Sequence, residues 1–221
     1  TCTFTSIYSQ GQTTSLISDF LKARDAAILT NLPLSSRRID RLKGNAAGNT
    51  SVGSALMGYL PTLAEGRDVH TSASLEGIRS ALSEGSKPSR FDAWFDGTFA
   101  ALDTGPSNGK FAMATAGIDY LANPDLLIGG FAQIDTTDLK GSGSTSSGTG
   151  WIAGPYVTAR LADNLYLDVL AGFGTSSNHI SPSGTYTDSF GSIRWMGKAT
   201  LEGSIDLGNG IELSPDLAIA H

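Results

Sequence analysis

The feature that most constrains this chain is a strict two-residue alternation over Ser192–Leu207. Every second residue from Ile193 onward is apolar or small, and the residues between them are polar or charged with the exception of Met196. Side chains on a β-strand point alternately to opposite faces, so this pattern predicts one apolar and one polar face. Strands of soluble sheets usually have about 5 or 6 residues, whereas about 9 to 11 residues cross a bilayer at a tilt. The segment is therefore long enough to span a membrane.

Six further segments alternate in a similar way. They are Phe91–Ala101, Lys110–Ala122, Leu126–Thr137, Trp151–Leu161, Leu165–Gly174 and Ile211–Ala220. The connections between the segments are alternately long (104–109, 138–150 and 175–189) and short (123–125, 163–164 and 208–210). In a transmembrane β-barrel one side typically carries tight turns and the other carries long loops. The sequence therefore predicts an all-β fold with N-terminal helices, in which about seven strands belong to an antiparallel, up-and-down transmembrane β-barrel.

The polar face of these strands is expected to line the lumen of the barrel. The predicted lumen-facing residues are Asp92, Asp96, Asp119, Arg160, Asp168, Arg194, Lys198, Glu202 and Asp206. Carboxylates outnumber cations in this set, so the lumen is expected to be acidic. Tyr120, Trp151 and Trp195 fall where an interfacial aromatic girdle would lie, although core packing in a soluble β-sandwich would also explain them.

The region before the strands is predicted to be mainly helical. Apolar residues recur at helical spacing from about residue 14 to 30, and a shorter basic helix follows Ser35 or Ser36 and ends at Gly44. Residues 45–71 are expected to form a loop, and a weaker helix is expected over Ser74–Ser83. The basic cluster consists of Arg37, Arg38, Arg41 and Lys43. It is either a solvated helical face or a plug that complements the acidic lumen, a role for which the helix at 74–83 competes.

Composition and motifs exclude several other functions. No apolar stretch of about 18 residues suggests a transmembrane helix, and a net charge of −6 argues against nucleic-acid binding. His70, His179 and His221 have no ligand partners at metal-binding spacing and are expected in exposed positions, two of them in loops. Gly148–Ala153 carries dinucleotide-type glycines without the required strand and helix. No catalytic, cofactor-binding or metal site is predicted, and the chain is not expected to be an enzyme.

Several stretches resemble the β-domains of autotransporters, which are outer-membrane proteins, of the alphaproteobacterial type. The stretches are Ser89–Trp94, Gly154–Tyr156 with Ala159–Leu161, and Ile180–Phe190 before Arg194-Trp195. In addition, Phe20–Gly44, with its break at Asn31-Leu32-Pro33, is similar to the helical linker that precedes such barrels. The resemblance covers most of the chain from about residue 14 onward.

The resemblance implies a translocator of type V secretion in the bacterial outer membrane. Such a barrel has about 12 strands, and an N-terminal passenger reaches the cell surface through it while the linker stays in the pore. Residues 1–13 are then expected to end the passenger or belong to the linker, 14–90 to form the helical linker region, and 91–221 to form the N-terminal part of the barrel. The expected partners are outer-membrane lipid, the chain's own passenger and the barrel assembly machinery.

Two other functions stay open at this point. A porin-like or structural outer-membrane barrel without a passenger would be favoured by a strongly charged long loop, and none of the three long connections is rich in charge. A soluble all-β binding domain is disfavoured by the length of the apolar face. Because the remaining strands and the terminal strand of such a barrel are not in the sequence, the chain is expected to be a fragment.

Overall fold

The computed structural model describes residues 3–33, 35–44, 69–82, 89–105, 107–141, 143–184, 186–203, 205–206, 212–213 and 216–220. Among the described residues, three helices lie before the main sheet or at its start: α1 (Thr3–Thr30), α2 (Ser35–Leu42) and α3 (Leu75–Leu82). The predicted helices at 14–30, 35–43 and 74–83 are therefore present, and α1 begins earlier than expected. No helix among the described residues is both long enough and apolar enough to cross a membrane.

The described part of the chain contains ten strands. They are β1 (Val69–Ser74), β2 (Phe91–Asp103), β3 (Asn108–Asn123), β4 (Leu126–Gly141), β5 (Ser144–Ala162), β6 (Leu165–Ser181), β7 (Asp188–Gly203), β8 (Ile205–Asp206), β9 (Glu212–Leu213) and β10 (Asp216–Ala220). The main sheet has the order β1-β2-β3-β4-β5-β6-β7-β10, and all its pairs are antiparallel. The small strands β8 and β9 pair with each other. The predicted antiparallel, up-and-down architecture with N-terminal helices is confirmed.

The two faces of the main sheet differ in what covers them. The inner face, defined as the face that contacts α1 and α2, carries buried side chains that form one hydrophobic core with Ile28, Ile39 and Leu42 of the helices and with Leu32 of their connection. The inner-face members of this core include Trp94, Phe111, Met113, Phe131, Ile152, Tyr156, Leu170 and Met196. The opposite, outer face exposes large apolar side chains, including Phe91, Phe95, Ile118, Ile128, Ile134, Val157, Val169, Phe173 and Ile193. Among the described residues only the inner face is covered by protein, and it combines this apolar core with buried polar and charged side chains, whereas the outer face is mainly apolar.

The apolar residues of the outer face form a band that covers only part of each strand. On β6 the outward residues are apolar from Leu165 to Phe173, and on β5 they are apolar or proline from Trp151 to Leu161. Each such stretch has about 9 to 11 residues, which is the length of a strand that crosses a bilayer. Beyond the band the outward residues are polar, namely Thr145, Ser147, Thr149, Thr175, Ser177 and His179.

The predicted long connections are wrong, because the strands continue through most of them. β4 runs on to Gly141 and β5 begins at Ser144, so the expected loop at 138–150 is a tight turn in which Gly143 adopts a φ of 80°. β6 likewise extends to Ser181, and β3 begins at Asn108. In these extensions both faces carry Ser, Thr, Gly and Asn, so the apolar–polar alternation that identifies a strand disappears. Gly148–Ala153 accordingly lies inside β5.

The sequence also failed to predict β1, which pairs with β2 from Val69↔Phe99 to Ser74↔Trp94. This strand is short and mostly polar, and it was assigned to a loop and a helix start. The predicted loop positions of two histidines are wrong for the same reasons. His70 lies on β1 and His179 lies on β6. The remainder of the predicted loop at 45–71, the turn at 208–210 and His221 lie outside the described residues.

Two glycines on the inner face accommodate aromatic rings from a neighbouring strand. A Cβ at Gly117 would overlap the Trp94 ring, and a Cβ at Gly129 would overlap the Tyr156 ring. The two rings are joined because the indole Nε1 of Trp94 donates to the Tyr156 hydroxyl over 2.8 Å. Small residues at these positions therefore allow two large aromatic side chains to lie flat against the strands.

We predict that Gly129→Ala lowers the free energy of unfolding by about 1 to 3 kcal/mol, the usual cost of overpacking. The matched control is Gly130→Ala, where the new Cβ would lie 3.6 Å from the Gly154 carbonyl oxygen, an ordinary contact. Urea unfolding followed by tryptophan fluorescence measures both. Equal losses for the two variants would show that the ring is not seated on Gly129.

Candidate functional site

The short helix α2 buries its arginines against the sheet. Arg37, Arg38 and Arg41 are at most 8% exposed, although they occupy three of the eight positions in this helix. Burial of a charged side chain is costly unless it is paired and hydrogen-bonded. Each of these guanidinium groups meets a carboxylate on the inner face, and the three pairs together define the candidate site.

Arg38 makes the best-formed pair. Its Nε and Nη2 donate to the two oxygens of Asp168 on β6 over 2.7 and 2.6 Å. The Thr158 hydroxyl donates to the same carboxylate over 2.6 Å, and the Arg38 guanidinium carbon lies 4.8 Å from the centre of the Tyr156 ring. Both charged side chains are 0% exposed. The bidentate geometry is typical of the stronger arginine–carboxylate pairs.

Arg41 bridges two carboxylates that face each other across neighbouring strands. Asp92 on β2 is paired in register with Asp119 on β3, and like charges in such positions repel each other. Arg41 Nη1 donates to Asp119 Oδ1 and lies 3.5 Å from Asp92 Oδ2. Arg41 Nη2 donates to the Ser89 carbonyl over 2.8 Å. The guanidinium therefore offsets a repulsion that the sheet would otherwise contain.

Arg37 combines a carboxylate with an aromatic ring. Its Nη1 lies 3.6 Å from Asp96 Oδ1 on β2, and its guanidinium carbon lies 3.9 Å from the centre of the Trp94 ring. Burial lowers the pKa of the Arg37 guanidinium, and the charge of Asp96 opposes that shift. A cation over the face of an indole ring is attracted by the ring quadrupole. The Trp94 ring thus helps to stabilise the buried charge of Arg37.

The other predicted site residues lie at the margin of this cluster. Lys43 is more exposed, with its Nζ 3.2 Å from Glu202 Oε1. Arg160 donates from Nη2 to the Leu42 carbonyl over 2.9 Å and thereby satisfies one of the last carbonyls of α2. Lys198 is half-buried on β7. Asp206 lies on β8, whose side chains are outside the described part of the structure.

A second charged cluster joins α1 to the sheet, and the sequence did not predict it. Arg24 donates from Nε to Asp135 Oδ2 over 2.7 Å and from Nη1 to Asn178 Oδ1 over 2.6 Å. Arg194 donates to the other oxygen of Asp135 over 2.7 Å. Burial lowers the pKa of the Arg24 guanidinium, and the charge of Asp135 opposes that shift. A signal was present, because Arg24 lies four residues after Phe20 on the same helical face.

Two glycines of β5 make room for this second cluster. A Cβ at Gly148 would lie 2.7 Å from Arg24 Nη1, and a Cβ at Gly150 would lie 2.8 Å from Arg24 Nη2 and overlap Arg194 Nη1. Any side chain here would displace a guanidinium group unless the arginine moved. Gly148 and Gly150 therefore form a slot on the inner face of β5, which is occupied by Arg24 of α1 and Arg194 of β7.

The helices cover the inner face unevenly. A cavity of about 420 Å³ lies between α1 and β7, bordered by Arg24, Asp25, Ser192, Arg194 and Met196 among others. α1 and α2 together contact β3, β4, β5 and β6. The helices therefore pack more closely over the middle of the sheet than over β7.

The three predicted girdle aromatics all lie on the outer face. Trp151 and Trp195 are 47% and 65% exposed. Tyr120 is half-buried because its ring lies 4.7 Å from that of Phe91, centre to centre. Among the described residues, no group of three or more His, Cys, Asp and Glu side chains could hold a metal ion.

Two comparisons with known proteins bear on the chain. A family model described as the autotransporter beta-domain matches residues 93–221, which is more than half of the chain. No curated protein matches the sequence. The matched range begins within β2 and excludes all three helices.

We predict that Arg38→Met lowers the free energy of unfolding by about 3 to 5 kcal/mol, because it leaves the buried Asp168 carboxylate without a cation. Adding Asp168→Asn to this variant is expected to restore part of the loss. Lys43→Met is the control, and it should cost less than about 1 kcal/mol because its ion pair is partly exposed. Urea unfolding measures all of them. If Arg38→Met cost no more than Lys43→Met, the buried pair would not hold α2.

Proposed function

This chain belongs to the autotransporter beta-domain family, and on that premise we propose that α1 and α2 plug a translocation pore whose wall is the inner face of the sheet. The β-domain is the outer-membrane barrel of type V secretion, so residues 93–221 belong to a translocator barrel of the bacterial outer membrane. The domain transports and does not catalyse.

The observation that carries the proposal is the set of ion pairs between helices and inner face. Arg24, Arg37, Arg38 and Arg41 each meet a carboxylate of a strand that is far away in sequence, and Asp168 lies 130 positions after Arg38. A solvated helix would not bury its arginines in this way. The pairs support the interpretation that the predicted lumen-facing residues line a pore and that the basic cluster enters it. The competing helix α3 packs against β1 and β2, and its Glu76 N–H donates to the inner-face carboxylate of Asp92 over 2.8 Å, but the four paired arginines lie on α1 and α2.

The direction of α1 supports an assignment of the two sides. The upper end of the sheet, defined by the β2–β3, β4–β5 and β6–β7 connections, lies next to residue 13, because the Thr13 hydroxyl is 2.7 Å from the Tyr186 hydroxyl. At the other, lower end, Arg41 contacts Ser89 just before β2. The polar strand extensions are also at the upper end. We infer that the upper end faces the cell exterior, where barrels carry their larger loops.

This orientation places the passenger beyond the upper end of the sheet. The chain N-terminal to α1 would leave at the upper end, so residues 1–13 would end the passenger or belong to the linker, residues 14–90 would form the linker region and residues 91–221 would belong to the barrel. The strand β1 lies within that linker region and pairs with the barrel strands. Further proposed partners are outer-membrane lipid against the outer apolar band and the barrel assembly machinery during insertion. Tyr120, Trp151 and Trp195 would lie at the edges of the band, at the lipid interface.

The proposal predicts that removal of residues 3–44 from the full-length protein opens the pore. The deletion keeps β1 and α3, so the sheet retains its first strand. In planar lipid bilayers the deletion variant should show larger and longer openings than the intact protein, because the inner face loses its plug. A heat-modifiable band on a gel verifies that both barrels are folded. Unchanged conductance of a folded deletion variant would rule out α1 and α2 as the plug.

A second prediction concerns the outer face. Val169 lies at the middle of the outer apolar stretch of β6, and Ser177 lies on the same face of the same strand beyond it. Val169→Arg should cost about 2 to 4 kcal/mol of folding free energy in lipid vesicles, as expected for arginine near the bilayer midplane, and Ser177→Arg about 0 to 1 kcal/mol. Similar costs would mean that the band does not face lipid.

A further inference from the structure

The three buried arginines of α2 occupy three different sites on the inner face. The first holds Arg38 against Asp168, and the second holds Arg41 between Asp119 and Asp92. The third holds Arg37 near Asp96. The carboxylates come from β2, β3 and β6, so the sites surround the helix rather than follow one side of it.

Each site favours a planar guanidinium over a compact ammonium group. Arg38 uses two parallel donors on one carboxylate, which a lysine cannot reproduce. Arg37 stacks on the Trp94 ring, and Arg38 lies over the Tyr156 ring. Arg41 reaches two carboxylates and a backbone carbonyl with two of its nitrogens. The lysine of the cluster, Lys43, occupies instead a more exposed site that a single point charge can satisfy.

The spacing of the arginines defines one position of the helix. Positions 37, 38 and 41 point to separate carboxylates, and between them Ile39 is fully buried in the hydrophobic core. A shift of α2 by one residue would bring Ile39 to the site of Arg38 in one direction and Asp40 to the site of Arg41 in the other. Such a shift would leave a buried carboxylate without a cation. Only one register of the chain therefore satisfies all three sites.

We propose that the inner face is a receptor for an Arg-Arg-x-x-Arg helix, and that occupation of its three guanidinium sites fixes the position at which the chain comes to rest in the pore. The ligand is the segment 35–44 of this chain, and a free peptide with the same arginines would bind to the same sites. This inference rests on the proposed function and adds to it that arginine, rather than positive charge in general, is recognised.

The first test exchanges arginine for lysine in the full-length protein at unchanged charge. The variant carries Arg37→Lys, Arg38→Lys and Arg41→Lys, and its control carries Arg79→Lys, an exchange at an exposed arginine of α3. In planar bilayers the triple variant is expected to be open for at least about ten times as large a fraction of the time as the parent, whereas the control matches the parent. A triple variant that is folded, as shown by heat modifiability, and closed like the parent overturns the inference.

The second test adds peptide to the open pores of the triple variant. A peptide of residues 35–44 should close them at a concentration about ten times lower than the same peptide with lysine at positions 37, 38 and 41. Equal potency of the two peptides would mean that charge alone is recognised, which overturns the inference. If the folded protein forms no pore even after residues 3–44 are deleted, both the proposed function and this inference fail. A pore that opens on that deletion but ignores the exchange leaves the proposed function intact.

Discussion

The structure depends on the neutralisation of carboxylates that the strands carry on their covered face. Asp119, Asp135 and Asp168 are each at most 2% exposed, and an isolated buried carboxylate is strongly unfavourable. The strands supply only part of the compensation, through Arg194. The rest comes from arginines of α1 and α2, so helices and sheet depend on each other although few backbone atoms join them. The proposed plug is therefore held by the same groups that complete the covered face.

The outer face obeys a different constraint, and the two together explain the length of the strands. Lipid contact requires an apolar surface only over the thickness of the hydrocarbon layer, and the apolar stretch on β6 ends at Phe173. Backbone hydrogen bonding has no such limit, and β6 and β7 stay paired as far as Ile180↔Asp188. The hairpins can therefore continue as paired strands into water without apolar side chains. The contact between Thr13 and Tyr186 indicates that the chain beyond these extensions reaches the N-terminal half of α1.

The sequence predicted those parts of the fold in which one physical contrast repeats along a strand. The alternation over Ser192–Leu207 is informative because one face of the strand carries mostly polar and charged side chains and the opposite face carries apolar or small ones. It disappeared over 138–150, where both sides are polar, so paired strands were mistaken for a loop. The acidic face and the basic cluster were predicted as groups, since charge and strand parity are visible in the sequence. Their partners were not, because the pairing of Arg38 with Asp168 depends on how the helix enters the sheet. Asp135 was missed because its strand had the least regular alternation.

The slot formed by Gly148 and Gly150 has a consequence for how such chains diverge. These two positions are constrained by neighbouring side chains, namely Arg24 at both, Asn178 at Gly148 and Arg194 at Gly150. In a related chain, a side chain on β5 would need a smaller residue at position 24 together with a smaller residue at 178 or 194. We therefore expect residue size at the two glycine positions to vary inversely with the combined size of these neighbours, so that the sequence of the sheet reflects the helix that packs on it.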